Sequence, residues 1–393
     1  MKVLHVIPSI SVQDGGPSQA ILPMCRALRE QGVDLLLATT NDGSSVENGT
    51  ELQYGQIGNY KGQPTIFFPS QIGASFKYSR PFAQWLNNNV AKYDLVHIHA
   101  VFNHACIAAA RACRRHDVPY IVRPLGTLDP WSMTQKNWRK KIFWHGGIKR
   151  MLNSAAAVQY TAKAEQEATE GLLGLNHGVV VPLGVDAQLT SEAVSAQLLS
   201  QKFPSLVRDP YVLVLSRLFP TKGLDVLLQA FLSLLKQSEF EKWHLVLAGE
   251  GPSEYVARLK RLAQEANASD HVLFSGWLHG ETKNVVLRNA SLLALPSYHE
   301  NFGLCVVEAM ACGVPVLVSP HVNLAPEVQA AGAGWVVAVD GNSLEAALAG
   351  AMASEEERLR RGEAGRLLSA RYTWPAIAGM LSDVYRGVLA GKN

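Results

Sequence analysis

Two doubly wound α/β domains in tandem are what this sequence predicts, and three observations predict them. The first is size: 393 residues exceed the usual single domain, and each half is long enough to bury a core of its own. The second is an alternation of short apolar runs with stretches of helical period, the mark of βαβ units around a parallel sheet. The third is that this alternation starts again after a polar, weakly patterned stretch near the middle of the chain.

In the first half the apolar runs are Val3 to Ile7, Val33 to Ala38, Leu95 to Ile98 and Tyr120 to Val122, with a helical stretch from Ser18 to Glu30. The second series is Tyr211 to Leu215, His244 to Ala248, Val272 to Phe274, Leu292 to Leu295, Val314 to Val318 and Gly334 to Val337, with a helix expected over Leu224 to Leu235. Pro182-Leu183-Gly184-Val185-Asp186 and the polar residues up to Pro210 separate them, which sets the domains at 1–186 and 187–371. The segment 372–393 carries Ile377, Met380, Leu381, Val384 and Val388 at helical spacing and is expected to pack back on the first domain. Each half is thus Rossmann-like. In such open sheets ligands sit at the carboxyl ends of the strands, so two domains facing across a cleft would carry their chemistry on the loops that line it.

Composition narrows the class. With 48% hydrophobic and 18% charged residues the chain is globular, and 36 basic against 33 acidic residues is too small an excess for bulk attraction to nucleic acid. Five cysteines, an odd number without CxxC spacing, fit buried reduced thiols and a cytoplasmic location better than a disulfide framework. The apolar run after Met1-Lys2 stops at Pro8, so no signal peptide is expected, and no long apolar stretch suggests a membrane span. Any membrane contact would be peripheral, on the inner face of the cell membrane.

Two segments of the second half carry the chemistry. Ser216-Arg217-Leu218-Phe219-Pro220-Thr221-Lys222-Gly223 leads from a strand into a helix, and an Arg and a Lys beside a helix N-terminus make a cradle for a diphosphate. Alone, they are equally well two solvated loop cations. His299-Glu300-Asn301-Phe302-Gly303-Leu304 precedes a helix that contains Glu308. The two carboxylates could accept hydrogen bonds from sugar hydroxyls, while Gly303 lets backbone approach a ligand; or they could simply complement the helix dipole.

The ordered set of Arg217, Lys222, Gly249-Glu250-Gly251-Pro252, Gly276, Pro296-Ser297, Glu300, Glu308 and Gly313-Val314-Pro315-Val316 resembles the GT-B glycosyltransferases of family 4. The resemblance spans nearly the whole chain and implies a retaining transferase that needs no metal or other cofactor and uses a UDP- or GDP-linked sugar as donor. It further implies that Arg217 and Lys222 hold the donor diphosphate and stabilise the leaving nucleotide, and that Glu308 binds the ribose. Glu300 and the amides of Asn301, Phe302, Gly303 and Leu304 would bind the sugar, and the backbone at Trp277 and Leu278 would flank the base. Without a metal, charge developing on the leaving diphosphate needs such preorganised cations. Glu300 and Glu308 are not read as the acid and nucleophile pair of a glycosidase, because their loop-and-helix placement suits hydroxyl binding.

On the acceptor side, Asp14-Gly15-Gly16-Pro17-Ser18 is not a GxGxxG motif, so a nicotinamide site is not indicated. The resemblance implies instead that the Gly15-Gly16 loop closes over the donor phosphates. His97, His99 and His104 cluster at a strand end, with His97 and His99 on one face; His99, on the strand-end loop, is the candidate for contacting donor or acceptor. Arg123-Pro124-Leu125-Gly126 stands where many family members carry a histidine, resembling a variant found in bacterial cell-surface polysaccharide transferases. That makes Arg123 and Asp129, together with His104, the acceptor-contact candidates. Residues 131–150 interleave Lys136, Arg139, Lys140, Lys141, Lys149 and Arg150 with Trp131, Trp138, Phe143 and Trp144, which suits an anionic membrane surface bearing a lipid-linked acceptor, or a solvated face with its aromatics in the core. The leading expectation is a transferase acting on a glycan or lipid-linked acceptor in bacterial polysaccharide or lipopolysaccharide assembly. A sugar-nucleotide epimerase of the same fold and a non-catalytic sugar-nucleotide-binding protein are the rivals.

Overall fold

The protein is described here by a computed structural model, covering residues 1–10, 16–41, 53–71, 76–134, 143–186 and 196–391. Its contacts divide the chain into two compact units, Met1–Gly184 together with the chain from Trp374 onward, and Val185–Thr373.

The first unit is built on an eight-stranded sheet. Its strands are β1 (Lys2–Ile7), β2 (Asp34–Asn41), β3 (Ile57–Tyr60), β4 (Gln63–Pro69), β5 (Leu95–His99), β6 (Tyr120–Arg123), β7 (Ala157–Tyr160) and β8 (Gly178–Val180). They lie in the order β3-β4-β2-β1-β5-β6-β7-β8, with β3 antiparallel to β4 and every other pair parallel. Strand β1 lies centrally, pairing Val3 with Leu35 of β2 on one side and with Leu95 of β5 on the other. Central strands covered on both faces read as unbroken apolar runs, which is why these were visible in the sequence. The antiparallel β3 was not, because its residues are mostly exposed and carry no apolar pattern. The helix Gly16–Glu30 starts two residues before the expected Ser18. Asn103 caps the helix His104–Arg115 by accepting from the Cys106 amide at 3.0 Å.

The last helix, Trp374–Leu389, belongs to this first unit. It buries Trp374, Ile377, Ala378, Leu381, Tyr385 and Val388, a one-face stripe at three- and four-residue spacing, while Met380 is exposed.

The second unit has six parallel strands, β9 (Tyr211–Leu215), β10 (His244–Ala248), β11 (Val272–Gly276), β12 (Leu292–Leu295), β13 (Val316–Val318) and β14 (Gly334–Val336). The order β11-β10-β9-β12-β13-β14 runs outward from β9 to one side and then outward to the other. The chain therefore reverses its direction of travel between β9 and β12, and at such a switch point the loops leaving adjacent strands diverge and open a crevice. Leu227, Leu228 and Phe231 of the helix Leu224–Leu234 join Val212, Val214, Leu245 and Leu247 in the core beneath it.

Strand β13 begins at Val316, two residues later than the apolar run suggests. Val314 is used otherwise: its amide donates back to Ala309 and that of Gly313 to Met310, both at 2.9 Å, and Gly313 has φ 73°. This is a Schellman cap that ends the helix Leu304–Ala311, and the following Pro315 has no amide to give a ladder.

Candidate active site

In the second unit the loops that leave β9 and β12 meet at the switch point. The first runs through the short turn Pro220–Lys222 to Gly223, which has φ 64° and opens the helix Leu224–Leu234. A Cβ on Gly223 would lie 2.3 Å from the carbonyl oxygen of Pro296 at the end of the neighbouring strand, so only glycine allows this approach. The Tyr298 amide then donates to Thr221 O at 2.8 Å and joins the loops directly. From behind, the Gly249-Glu250-Gly251 turn supports the first loop: Leu218 N donates to Glu250 O at 2.8 Å, and Cβ atoms on Gly249 or Gly251 would each come within 1.8 Å of a carbonyl of that loop.

This architecture brings Lys222 and Glu300 together. Lys222 Nζ donates to Glu300 Oε2 at 2.6 Å, with 12% and 22% of the two side chains exposed. Burial alone would raise the Glu300 carboxyl, but the Lys222 charge and hydrogen bond, aided by the Phe302 amide, outweigh it and hold the group below the usual carboxylate range. Glu300 is fixed at its backbone too, donating from N to His321 O at 3.0 Å and accepting from Asn323 N at 3.1 Å. Gly303, with φ 79°, then turns the chain into the helix Leu304–Ala311, and Phe302 is buried against the Tyr372 ring.

A second ion pair lies on the same helix. Glu308 Oε1 accepts from Lys283 Nζ at 2.7 Å, and Lys283 stands in the helix Gly280–Arg288, which follows β11 and the Trp277-Leu278 turn. The four charges share one neighbourhood, because all act on the Cys305 thiol: burial pushes it up to about 12, Glu300 and Glu308 reinforce that, and Lys222 and Lys283 oppose it. The two glutamates are therefore bound to lysines and do not cap the helix, whose N-cap is Gly303 with no side-chain hydrogen bond there. Arg217 is exposed over the Phe219 ring at 5.8 Å. Trp277 is 38% exposed, whereas Leu278 is buried. Lys283 escaped the sequence reading because nothing in the local pattern ties it to a carboxylate 25 residues on.

In the first unit the expected acceptor-side residues are placed differently. His99 is the last residue of β5 and not part of the loop after it, and it is fully buried. Its Nε2 is joined to His5 Nδ1 at 3.0 Å; His5 Nε2 is joined to the Tyr385 hydroxyl at 3.2 Å, and that hydroxyl to His97 Nδ1 at 2.7 Å. His97 and His99 do share a strand face, their rings stacked 4.1 Å apart. Burial, with the Arg123 charge nearby, lowers His5 to about 3 and keeps His97 and His99 well below the ordinary imidazole value. Ring nitrogens of the three lie within 4.8 Å of one another, a spacing a cation could use, but the Arg123 charge opposes one there.

Arg123 is likewise interior, at 1% exposure, with Nη1 beside Met24 Sδ at 4.0 Å. Burial lowers it to about 10 against the pull of Glu165. Glu165 instead holds the turn after β6, accepting from Gly126 N at 3.1 Å and from Thr161 N at 2.7 Å. His104 takes the Ser79 amide on Nδ1 at 3.2 Å and packs against Tyr78, and Asp129 is buried ahead of the helix Pro130–Thr134. Gly15 lies outside the described residues, and Gly16 is the first residue of its helix. Most of the basic residues of 131–150 also lie outside them; of the rest, Lys149 and Arg150 are exposed while Phe143 and Trp144 pack on the core. Among the described residues no helix is long and apolar enough to cross a membrane.

Two doubly wound units, the second with paired cations and carboxylates at its switch point, define a GT-B glycosyltransferase. Residues 14–189 match the model of Glycosyltransferase Family 4 and residues 196–368 that of Glycosyl transferases group 1. The chain belongs to the family 4 GT-B glycosyltransferases and is a transferase. It is 28% identical to a D-inositol 3-phosphate glycosyltransferase of Xylanimonas cellulosilytica, over 94% of this chain and 91% of that one. Identity to a GDP-mannose-dependent alpha-(1-6)-phosphatidylinositol monomannoside mannosyltransferase of Mycobacterium tuberculosis is 31%, over 53% of this chain and 55% of the relative. In fold it is similar to Anabaena HepE in complex with UDP and glucose, with a TM-score of 0.76 and 20% identity over 98% of this chain and 100% of that one.

Proposed function

We propose that the protein transfers a sugar, with retention at the anomeric carbon and without a metal, from a UDP- or GDP-linked donor to an anionic or lipid-linked glycan acceptor in cell-surface polysaccharide assembly. The observation that carries this is the Lys222–Glu300 pair at the switch point of the second sheet, 2.6 Å apart and flanked by Lys283–Glu308. A lysine held there ahead of a helix N-terminus is placed to exchange its carboxylate partner for a diphosphate, and Glu300, once released, can accept hydrogen bonds from sugar hydroxyls. Arg217, exposed and beside no carboxylate among the described residues, supplies the second cation. As the bond to the nucleotide breaks, charge grows on the leaving diphosphate and these fixed cations stabilise it more than they stabilise the ground state. HepE, with its UDP, supports the donor class, and the relatives that act on inositol 3-phosphate and a phosphatidylinositol mannoside support a phosphorylated or lipid-borne acceptor. A cytoplasmic protein meeting such an acceptor at the membrane surface would need no span.

Thermal melts with UDP-, GDP- and ADP-sugars test the donor: a ligand at about 100 times its dissociation constant stabilises by roughly 2.7 kcal/mol. A melt that none of them moves would overturn the proposal. Lys222→Ala and Glu308→Ala should abolish donor turnover with the fold retained, and unchanged turnover in both would remove the cradle. Donor consumed without acceptor would mark an epimerase instead.

A further inference from the structure

Glu308 stands on the helix Leu304–Ala311 with its side chain 11% exposed, and one of its two oxygens, Oε1, is held by Lys283 at 2.7 Å. Among the described residues no hydrogen bond engages Oε2. A glutamate has three side-chain torsions, and even in a largely buried setting a carboxylate without an anchor could take more than one orientation, losing that freedom only on binding. Lys283 removes most of the freedom beforehand. It comes from the first turn of Gly280–Arg288, the element that directly follows the Trp277-Leu278 turn, so one helix sets both the course of that turn and the orientation of the carboxylate. A carboxylate with one oxygen tied to an ammonium and the other open accepts a hydroxyl in a single geometry, and a site built to bind a hydroxyl discriminates against ligands that lack it.

We propose that Lys283 is a positioning residue which holds Glu308 in the orientation that binds the ribose, and through it sets the preference for ribose over deoxyribose nucleotides. This rests on the nucleotide-sugar function proposed above. Lys283 touches neither the sugar nor the diphosphate in this role. Its removal therefore weakens donor binding and leaves the transfer step nearly intact.

The experiment compares full-length wild type, Lys283→Met, Lys283→Arg, Glu308→Gln and the Lys283→Met/Glu308→Gln double variant, using whichever UDP- or GDP-sugar the wild type accepts and its 2′- and 3′-deoxy forms. Lys283→Met should raise the donor KM about tenfold with kcat nearly unchanged, and shrink the preference for the ribose donor by a similar factor. Lys283→Arg should restore both, since its guanidinium can hold the same carboxylate. The double variant should lose no more than Glu308→Gln alone, because the lysine acts through the glutamate. A Lys283→Met enzyme with wild-type KM and wild-type ribose preference overturns the assignment, as does additive loss in the double variant. Wild type that accepts no nucleotide sugar overturns the function beneath it instead, so the two failures are told apart. Lys283 is partly exposed, and melting curves of each variant confirm that binding, not folding, is what changes.

Discussion

Single residues decide whether the two loops of the second unit can meet. Gly249 has φ 148°, and a Cβ there would lie 1.8 Å from the Ser216 carbonyl oxygen. Both the conformation and the contact forbid a side chain, so Gly249→Ala must move the loop that carries Arg217 and should cost at least about 2 kcal/mol. Urea denaturation measures this; a midpoint equal to wild type would mean the backbone there yields freely. The sequence made Gly249 visible only as part of a family pattern. The reason for it is a close approach between β9 and β10 loops that no local spacing reveals. Glu300 differs: its loop position and its partner Lys222 were both picked out in the sequence, but as separate ligand contacts. That they bind each other, though 78 residues apart in the chain, follows from the neighbouring strands β9 and β12 that their loops leave.

Among the elements, β1, β5 and the C-terminal helix together enclose the three histidines. His5, His97 and His99 are neutral because burial excludes the charged form, foremost, and Arg123 adds to it. Their folded values lie below the unfolded value of about 6.5, so their contribution to stability is whole above that pH and falls away as pH drops below it, for His5 down to its lowered value of about 3. Imidazole NMR checks the cause directly. Of the twelve histidines, three should keep neutral shifts down to about pH 5, and titration of all twelve near 6.5 would contradict the burial. The two-residue period correctly set His97 and His99 on one face. It could not say that the face looks inward, since a polar pair on a strand reads the same whether solvent or a Tyr385 hydroxyl receives it. Similarly, β3 lacks an apolar signature, β8 is only three residues long, and β13 starts late because Val314 is spent on a helix cap.

At the scale of the whole molecule, the chain leaves the first unit near Gly184, builds the second, and returns at Trp374. The returning helix covers the helix Gly16–Glu30 and closes the first core, with Gln31 Nε2 donating to Pro375 O at 2.9 Å and Tyr385 reaching two histidines. A chain truncated after Thr373 would lose Ile377, Leu381 and Tyr385 and uncover the apolar surface of the first unit that they pack on. It should expose apolar surface, bind a hydrophobic dye and lose the first unit's melting transition while the second unit still melts. Two transitions in the truncated protein would show that the helix is dispensable. The sequence by itself determined the two α/β halves, all six strands of the second sheet, four of the eight strands of the first and the donor-side loops, because most buried parallel strands are apolar and the loops between them carry local motifs. Only the tertiary structure decided that Lys222 pairs with Glu300 and Lys283 with Glu308, and that His99 and Arg123 lie in the interior. Pairing and burial are properties of residues far apart in sequence, and they exist only once the strand order is set.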